Sequence, residues 1–145
     1  MERRELLTLL GAGAAGFLAT GSSARGDDDD KKKAEHEHLM TMARCATICN
    51  MVSAHCLAEI QKGGSENGAT LAKVAAYTND CQSFCTQTAA LMARKSPMAN
   101  YAHKACADAC RDCAEVCDSS NNEHIKKCAE VCRECERACR ACCSA

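Results

Sequence analysis

Tryptophan is absent from this 145-residue chain, aromatic residues make up 3% of it, and there is a single proline. Strands draw on aromatic and β-branched side chains, so the scarcity argues against a sheet and suits helices. A dominant charge is missing as well. The formal net charge is −1 and the pI about 6.5, which leaves no basic footprint for nucleic acid. No glycine-rich phosphate loop, nucleophile–base pair or carboxylate pair stands out, so no enzyme is expected. The length is that of one domain.

What the chain has instead is cysteine, fifteen residues of it. Ten lie between Cys106 and Cys143, as Cys106, Cys110, Cys113, Cys117 and then Cys128, Cys132, Cys135, Cys139, Cys142, Cys143. Steps of four, three and four residues keep the first four sulfurs of each run within an arc of roughly 60° on a helix. Neighbours at that spacing have Cβ atoms about 5–6 Å apart, too far for a disulfide, which wants about 3.5–4.5 Å. Two thiolates sharing one metal ion need sulfurs roughly 4–5 Å apart, and an i,i+4 pair supplies that with ordinary rotamers. Cysteine can also serve as a small core hydrophobe, but packing alone would not select it so often over Ala, Leu or Val.

The first residues read as a targeting segment. Arg3-Arg4 precedes an apolar, small-residue run from Leu6 to Thr20, and Ser22-Ser23-Ala24 fits a cleavage site, so a signal peptide is expected over residues 1–24. Arg3-Arg4-Glu5-Leu6-Leu7 is twin-arginine-like, and the run is short and glycine-rich for a membrane span. This reading predicts export to the periplasm. Twin-arginine export carries folded cargo, so a reduced, metal-filled core would survive an oxidising compartment. An odd cysteine number and helical spacing do not describe a small disulfide scaffold. Asp27 to Asp30 and Lys31 to Lys33 then form a solvated linker or a frayed helix start, assigned as a charged linker over 25–33, ahead of a domain over 34–145.

Four helices follow. The first is expected from Ala34 to Gln61 with the seam His38, Met42, Cys45, Cys49, Val52, Cys56, stopped by Lys62-Gly63-Gly64-Ser65. The second, from Glu66 to Arg94, carries Leu71, Val74, Thr78, Cys81, Cys85, Thr88 and Met92. Ser96 as N-cap and Pro97 at the first helical position open the third, which ends near Ser119. Ser120-Asn121-Asn122-Glu123 reads as a capping box opening the fourth. Seams of this kind on four helices joined by short turns predict an all-α, up-down-up-down antiparallel four-helix bundle with a cysteine-lined core. Outward residues such as Arg111, Asp112, Glu115, Glu130, Arg133, Glu134 and Arg137 are solvated faces.

A column of thiols offers soft ligands, which select Cu(I), zinc or iron–sulfur clusters. Zinc takes four ligands at one node, and iron–sulfur clusters usually take a compact loop motif. A stripe running roughly 20 Å along a helix suits Cu(I), which accepts two or three thiolates and can be strung out with each sulfur bridging two ions. Bridging gives about one ion per thiolate, a capacity that means storage.

These stripes, Cys45-Cys49-Cys56, Cys81-Cys85, Cys106-Cys110-Cys113-Cys117 and Cys128-Cys132-Cys135-Cys139-Cys142, behind a twin-arginine-like start, resemble the exported bacterial copper storage proteins. The resemblance covers essentially the whole mature chain. It implies a bundle filled with multiple Cu(I) ions on inward cysteines, assembled as a homo-oligomer, a tetramer. Val52 and the adjacent pair Cys142-Cys143 depart from the pattern. The alternatives are a zinc or mixed-metal thiolate buffer and a disulfide-forming redox protein.

In an up-down bundle one end gathers His36, His38, Met40, Met42, Met92, Met98, His103, Cys142 and Cys143. Thioethers and neutral imidazoles hold Cu(I) more weakly than thiolates, so these residues are candidate ligands of a mouth through which ions pass. The same methionines could merely seal the end. Ile60, Leu71, Val74 and Ile125 gather at the other end as an apolar plug. His55 and His124 read as surface or capping residues, and Met51 as packing.

Overall fold

The computed structural model describes residues 24–63 and 68–143, and each secondary-structure element among them is an α-helix. They are α1 (Ala24–Lys62), α2 (Gly68–Ala93), α3 (Ala99–Asp118) and α4 (Glu123–Cys143). Each helix packs on its neighbour in the chain, and α4 returns to α1 to close the ring. His38 near the start of α1 touches Cys142 at the end of α4, while His55 late in α1 meets Asn122 just before α4. The two helices are therefore antiparallel, as the up-down arrangement requires.

The seams face inward as their periodicity predicts. Met42, Cys45, Cys49, Val52 and Cys56 of α1 and Leu71, Val74, Thr78, Cys81, Cys85 and Thr88 of α2 are all buried. Three hydroxyls inside the bundle are satisfied by backbone carbonyls, as buried polar groups must be. Thr78 Oγ1 donates to the Val74 carbonyl of its own helix (2.8 Å), Ser53 donates from α1 to the Ala75 carbonyl (3.1 Å), and Thr88 donates from α2 to the Ala102 carbonyl (3.2 Å). The last two bonds tie α2 to both its neighbours.

Three expectations need correction. Residues 1–23, which carry the signal peptide expected over 1–24, are not among them and lie outside the described residues. The charged block assigned as a linker over 25–33 is helical, since α1 starts at Ala24. Asp27 sits in the first turn, where a carboxylate complements the helix dipole. Asp27, Asp28 and Asp29 also stand four residues before Lys31, Lys32 and Lys33, the spacing that supports an exposed helix. Ile60 is 37% exposed and does not share the plug with the buried Leu71, Val74 and Ile125.

The helix ends supply the third correction. Asn122, not Ser120, caps α4: its Oδ1 accepts the N–H groups of His124 (2.9 Å) and Ile125 (3.4 Å), while Ser120 Oγ accepts the N–H of Asn122 (3.1 Å). Ser96 stands one turn ahead of α3, its hydroxyl accepting the Met98 N–H at 3.2 Å. Helix α1 stops at Gly63 with φ 69°, as its sequence predicts.

Helix α2 ends on a residue less suited to the task. The Ser96 N–H bonds the Leu91 carbonyl and the Lys95 N–H bonds the Met92 carbonyl, both at 2.9 Å, which is the Schellman arrangement with Lys95 in the left-handed region at φ 54°. A Cβ at that φ is strained, and glycine relieves it. Lys95→Gly is expected to stabilise the metal-free protein by about 1 kcal/mol. Thermal melts of the two reduced proteins measure this; an unchanged or lower midpoint contradicts it.

Candidate metal centre

Thirteen cysteines, from Cys45 to Cys139, have no exposed surface at all, Cys142 is half-buried and Cys143 is exposed. The helices bring sulfurs from all four sides to the axis. Cys49 and Cys132 lie 3.5 Å apart, Cys81 and Cys110 3.6 Å, Cys85 and Cys106 3.6 Å, Cys113 and Cys132 3.7 Å, and Cys45 and Cys110 4.0 Å. Two thiolates on one ion, with bonds near 2.3 Å, stand roughly 3.7–4.6 Å apart between tetrahedral and linear geometry. The apo spacing is therefore already close to that of a filled site.

The sequence drew attention to i,i+4 pairs along one helix, but these closest sulfur contacts cross between helices. Cys128–Cys132, at 4.0 Å, is the i,i+4 exception among them. Four sets of four thiols have all their sulfurs within 4.8 Å of one another: Cys85/Cys106/Cys110/Cys135, Cys45/Cys81/Cys85/Cys110, Cys45/Cys49/Cys81/Cys132 and Cys49/Cys113/Cys128/Cys132. Taken in that order, each set shares two cysteines with the next. They form one chain of edge-sharing tetrads, not four separate nodes. Cys56, Cys117 and Cys139 are equally buried but lie outside these tetrads.

The thiols titrate as a lattice. Cys45 is held well below its ordinary value, chiefly by its hydrogen bond with Cys110, and Cys106 is lowered chiefly by the same residue. Cys110 is pushed up, first by its bond to Cys106. Cys132 rises too, with Cys113 as the main cause, and burial adds to both. These opposed directions belong to the hydrogen-bonded network of sulfurs as a whole, and each thiol in it must release its proton to bind an ion.

At the end where α1 and α3 start, His38 stands between two sulfurs. Its Nδ1 is 3.0 Å from Cys142 Sγ and its Nε2 is 3.6 Å from Cys139 Sγ. The His103 ring is 4.9 Å away, and His38, His103 and Cys142 form a three-ligand group with their donor atoms within 4.8 Å. His103 Nδ1 is buried with no hydrogen-bond partner, a free donor site beside the group. Burial lowers the pKa of both rings, with the neighbouring His103 adding to the effect on His38. Neutral imidazole is the metal-binding form.

Two hollows of about 660 and 600 Å³ open beside this end, and Cys142 lines both. Met92 lines the second and packs against the core, and Met42 is wholly buried. Met40 and Met98 are 57% and 51% exposed, and His36 and Cys143 are exposed too, so the structure does not draw these four into the group. Sequence periodicity placed them at the right end of the bundle but on its outer face.

The chain is similar to known proteins along nearly the whole described length. The model of the copper storage protein family (Csp) matches residues 31–144. A cytosolic copper storage protein from Streptomyces lividans, solved during copper loading with five coppers, is 31% identical, with a TM-score of 0.67 over 78% of this chain and 94% of that one. The Cu(I)-bound copper storage protein BsCsp3 gives a TM-score of 0.66 at 22% identity, over 74% of this chain and 96% of its own, which establishes a shared fold. No curated protein matches the chain.

The Streptomyces lividans protein also overturns the expectation of export to the periplasm, because that relative is described as cytosolic. All fifteen cysteines here are free, so no disulfide among them calls for an oxidising compartment.

The depressed imidazoles set a pH dependence. Below the ordinary value of 6.5 the unfolded chain takes up protons at His38 and His103 that the folded protein takes up only at lower pH, so the unfolded state binds more. Stability of the reduced metal-free protein is expected to be insensitive to these groups above that value and to fall as pH drops through it. Urea unfolding between neutral and mildly acid pH measures the slope, and His38→Gln should flatten it. An identical slope in the variant contradicts the assignment.

Proposed function

Because this chain belongs to the copper storage protein family, we propose that its sulfur column is a high-capacity Cu(I) store, loaded and unloaded through the end that carries His38, His103 and Cys142. The observation that carries this reading is the edge sharing of the four tetrads. Zinc as isolated four-thiolate nodes can use the two disjoint tetrads, Cys49/Cys113/Cys128/Cys132 and Cys85/Cys106/Cys110/Cys135, which strands Cys45 and Cys81. Cu(I) in two- or three-fold thiolate coordination uses shared sulfurs as bridges and leaves none idle.

The role is non-catalytic in this reading, since ions held on two or three shared thiolates in a core without exposed sulfur are closed to a substrate. The column ligands are Cys45, Cys49, Cys56, Cys81, Cys85, Cys106, Cys110, Cys113, Cys117, Cys128, Cys132, Cys135 and Cys139. An ion reaching the mouth meets Cys142 and the two imidazoles first. His38, with a sulfur at each ring nitrogen, stands between Cys142 outside and Cys139 inside. Met42 and Met92 offer weaker thioether stations beside it, and Met40, Met98, His36 and Cys143 an outer rim.

Self-association, a homotetramer in this reading, is supported by apolar side chains left on the outside. Tyr77 and Phe84 stand seven residues apart on α2 and are 39% and 44% exposed, and Leu57 on α1 is 52% exposed. Such residues are common at subunit contacts.

Anaerobic titration of the reduced protein with Cu(I) against a competing chelator tests the store: on the order of ten or more ions should bind per chain. Saturation at one or two ions, or preferential retention of zinc, contradicts it. The mouth is tested by Cys142→Ser, expected to slow both uptake and chelator-driven removal while capacity falls by no more than about one ion per chain. Unchanged rates in both directions place the ion path elsewhere.

A further inference from the structure

A second group of metal-binding side chains lies outside the column, at the opposite end of the bundle. His55 late in α1 and His124 in the first turn of α4 face each other across a groove of about 310 Å³, with ring centroids 6.4 Å apart and planes at 62°. Met51, one turn before His55 and 62% exposed, lines the same groove. Ile48 and Val52 line it as well; Val52 belongs to the packed core, 5% exposed, and the partly buried Ile48 packs against it. Apolar side chains therefore lie between this groove and the thiols.

We propose that His55, His124 and Met51 form a separate, solvent-exposed Cu(I) site on the α1–α4 face. The ring separation carries the proposal. An ion bound to one nitrogen of each of two imidazoles, with bonds near 2.0–2.1 Å, holds the centroids roughly 6.3 Å apart when the nitrogens are opposed and closer when the angle bends. The observed 6.4 Å is within the reach of such a pair, and two imidazoles with the Met51 thioether on the same groove as a soft third donor suit a monovalent d¹⁰ ion.

Two further features agree. Asn122 uses its carbonyl oxygen to cap α4, so the group it presents to His55 is its amide nitrogen, 3.5 Å from Nε2. A donor there selects the tautomer with the lone pair on Nε2, and at that distance the bond is weak enough for an ion to displace. Lys127 lines the groove too, and its charge opposes a divalent ion about twice as strongly as a monovalent one. Neutral nitrogen and thioether donors bind Cu(I) less tightly than thiolates do. The site therefore fills after the column and exchanges faster with solution.

The test is independent of how the column works. Imidazole nitrogen resonances of the reduced protein are followed by NMR while Cu(I) is added anaerobically past saturation of the thiols. Both His55 and His124 should shift together in a final, weaker step of about one ion per chain. That step should vanish in the double variant His55→Gln/His124→Gln with the thiol-bound ions unchanged, and Met51→Leu should weaken it several-fold. Absence of the step, movement of one ring alone, or survival of the step in the double variant overturns the proposal. Failure of the column itself would show instead as loss of the earlier, tighter steps.

Discussion

The structure depends on a single distance, the 3.5–4.0 Å between sulfurs that project from different helices toward one axis. A bundle core is normally filled by leucine-sized side chains that hold helix axes 8–10 Å apart. Cysteine is smaller, so the same ring of helices closes far enough to bring thiols from all four helices into mutual contact. The small residues Ala107, Ala114 and Ala129, buried beside the cysteines of α3 and α4, permit this approach. A larger residue in their place would open the lattice before it touched a single ligand.

That closeness explains why one column can serve as a continuous store and not as a set of sites. Because Cys45 and Cys81 belong to two overlapping tetrads, and Cys85 and Cys110 to another overlapping pair, filling one position changes the protonation and geometry of the next. Each thiol that binds must give up its proton, so loading is coupled to proton release along the lattice. Stability then rises with every ion that the folded column holds more tightly than the loose thiols of the unfolded chain do. The fold does not rest on sulfur alone. Leu71, Val74 and Ile125, all buried, supply ordinary apolar packing at one end.

Much of this was legible in the sequence because a helix seam has one period. Steps of four, three and four placed His38, Met42, Cys45, Cys49, Val52 and Cys56 on the inner face, and all six are buried. Spacing within a helix says nothing of register between helices, so the cross-helix pairs Cys49–Cys132 and Cys81–Cys110 could not be read in advance. The caps failed for a similar reason: Ser120 and Asn122 are both good N-cap residues, and only the backbone path decides between them. Composition misled at Asp27 to Lys33, where a run of charges reads as linker although its i,i+4 pairing favours helix. At the mouth, gathering residues by bundle end alone put Met40 with His38, although two residues turn a helix by roughly 200° and set one inside and the other out.

The two ends of the column differ in chemistry in a way that gives it a direction. At one end the buried Leu71, Val74 and Ile125 form an apolar layer, and moving a charge through such a layer carries a desolvation cost of several kcal/mol. At the other, His38 stands against the sulfurs of Cys142 and Cys139, so in the proposed entry route an ion passes from one ligand to the next. An ion that crosses the bundle end without ever losing all its ligands avoids most of that cost. In that reading the seam of α1 performs two tasks with one period, thiolates along its middle to hold ions and a histidine ahead of them to pass ions on.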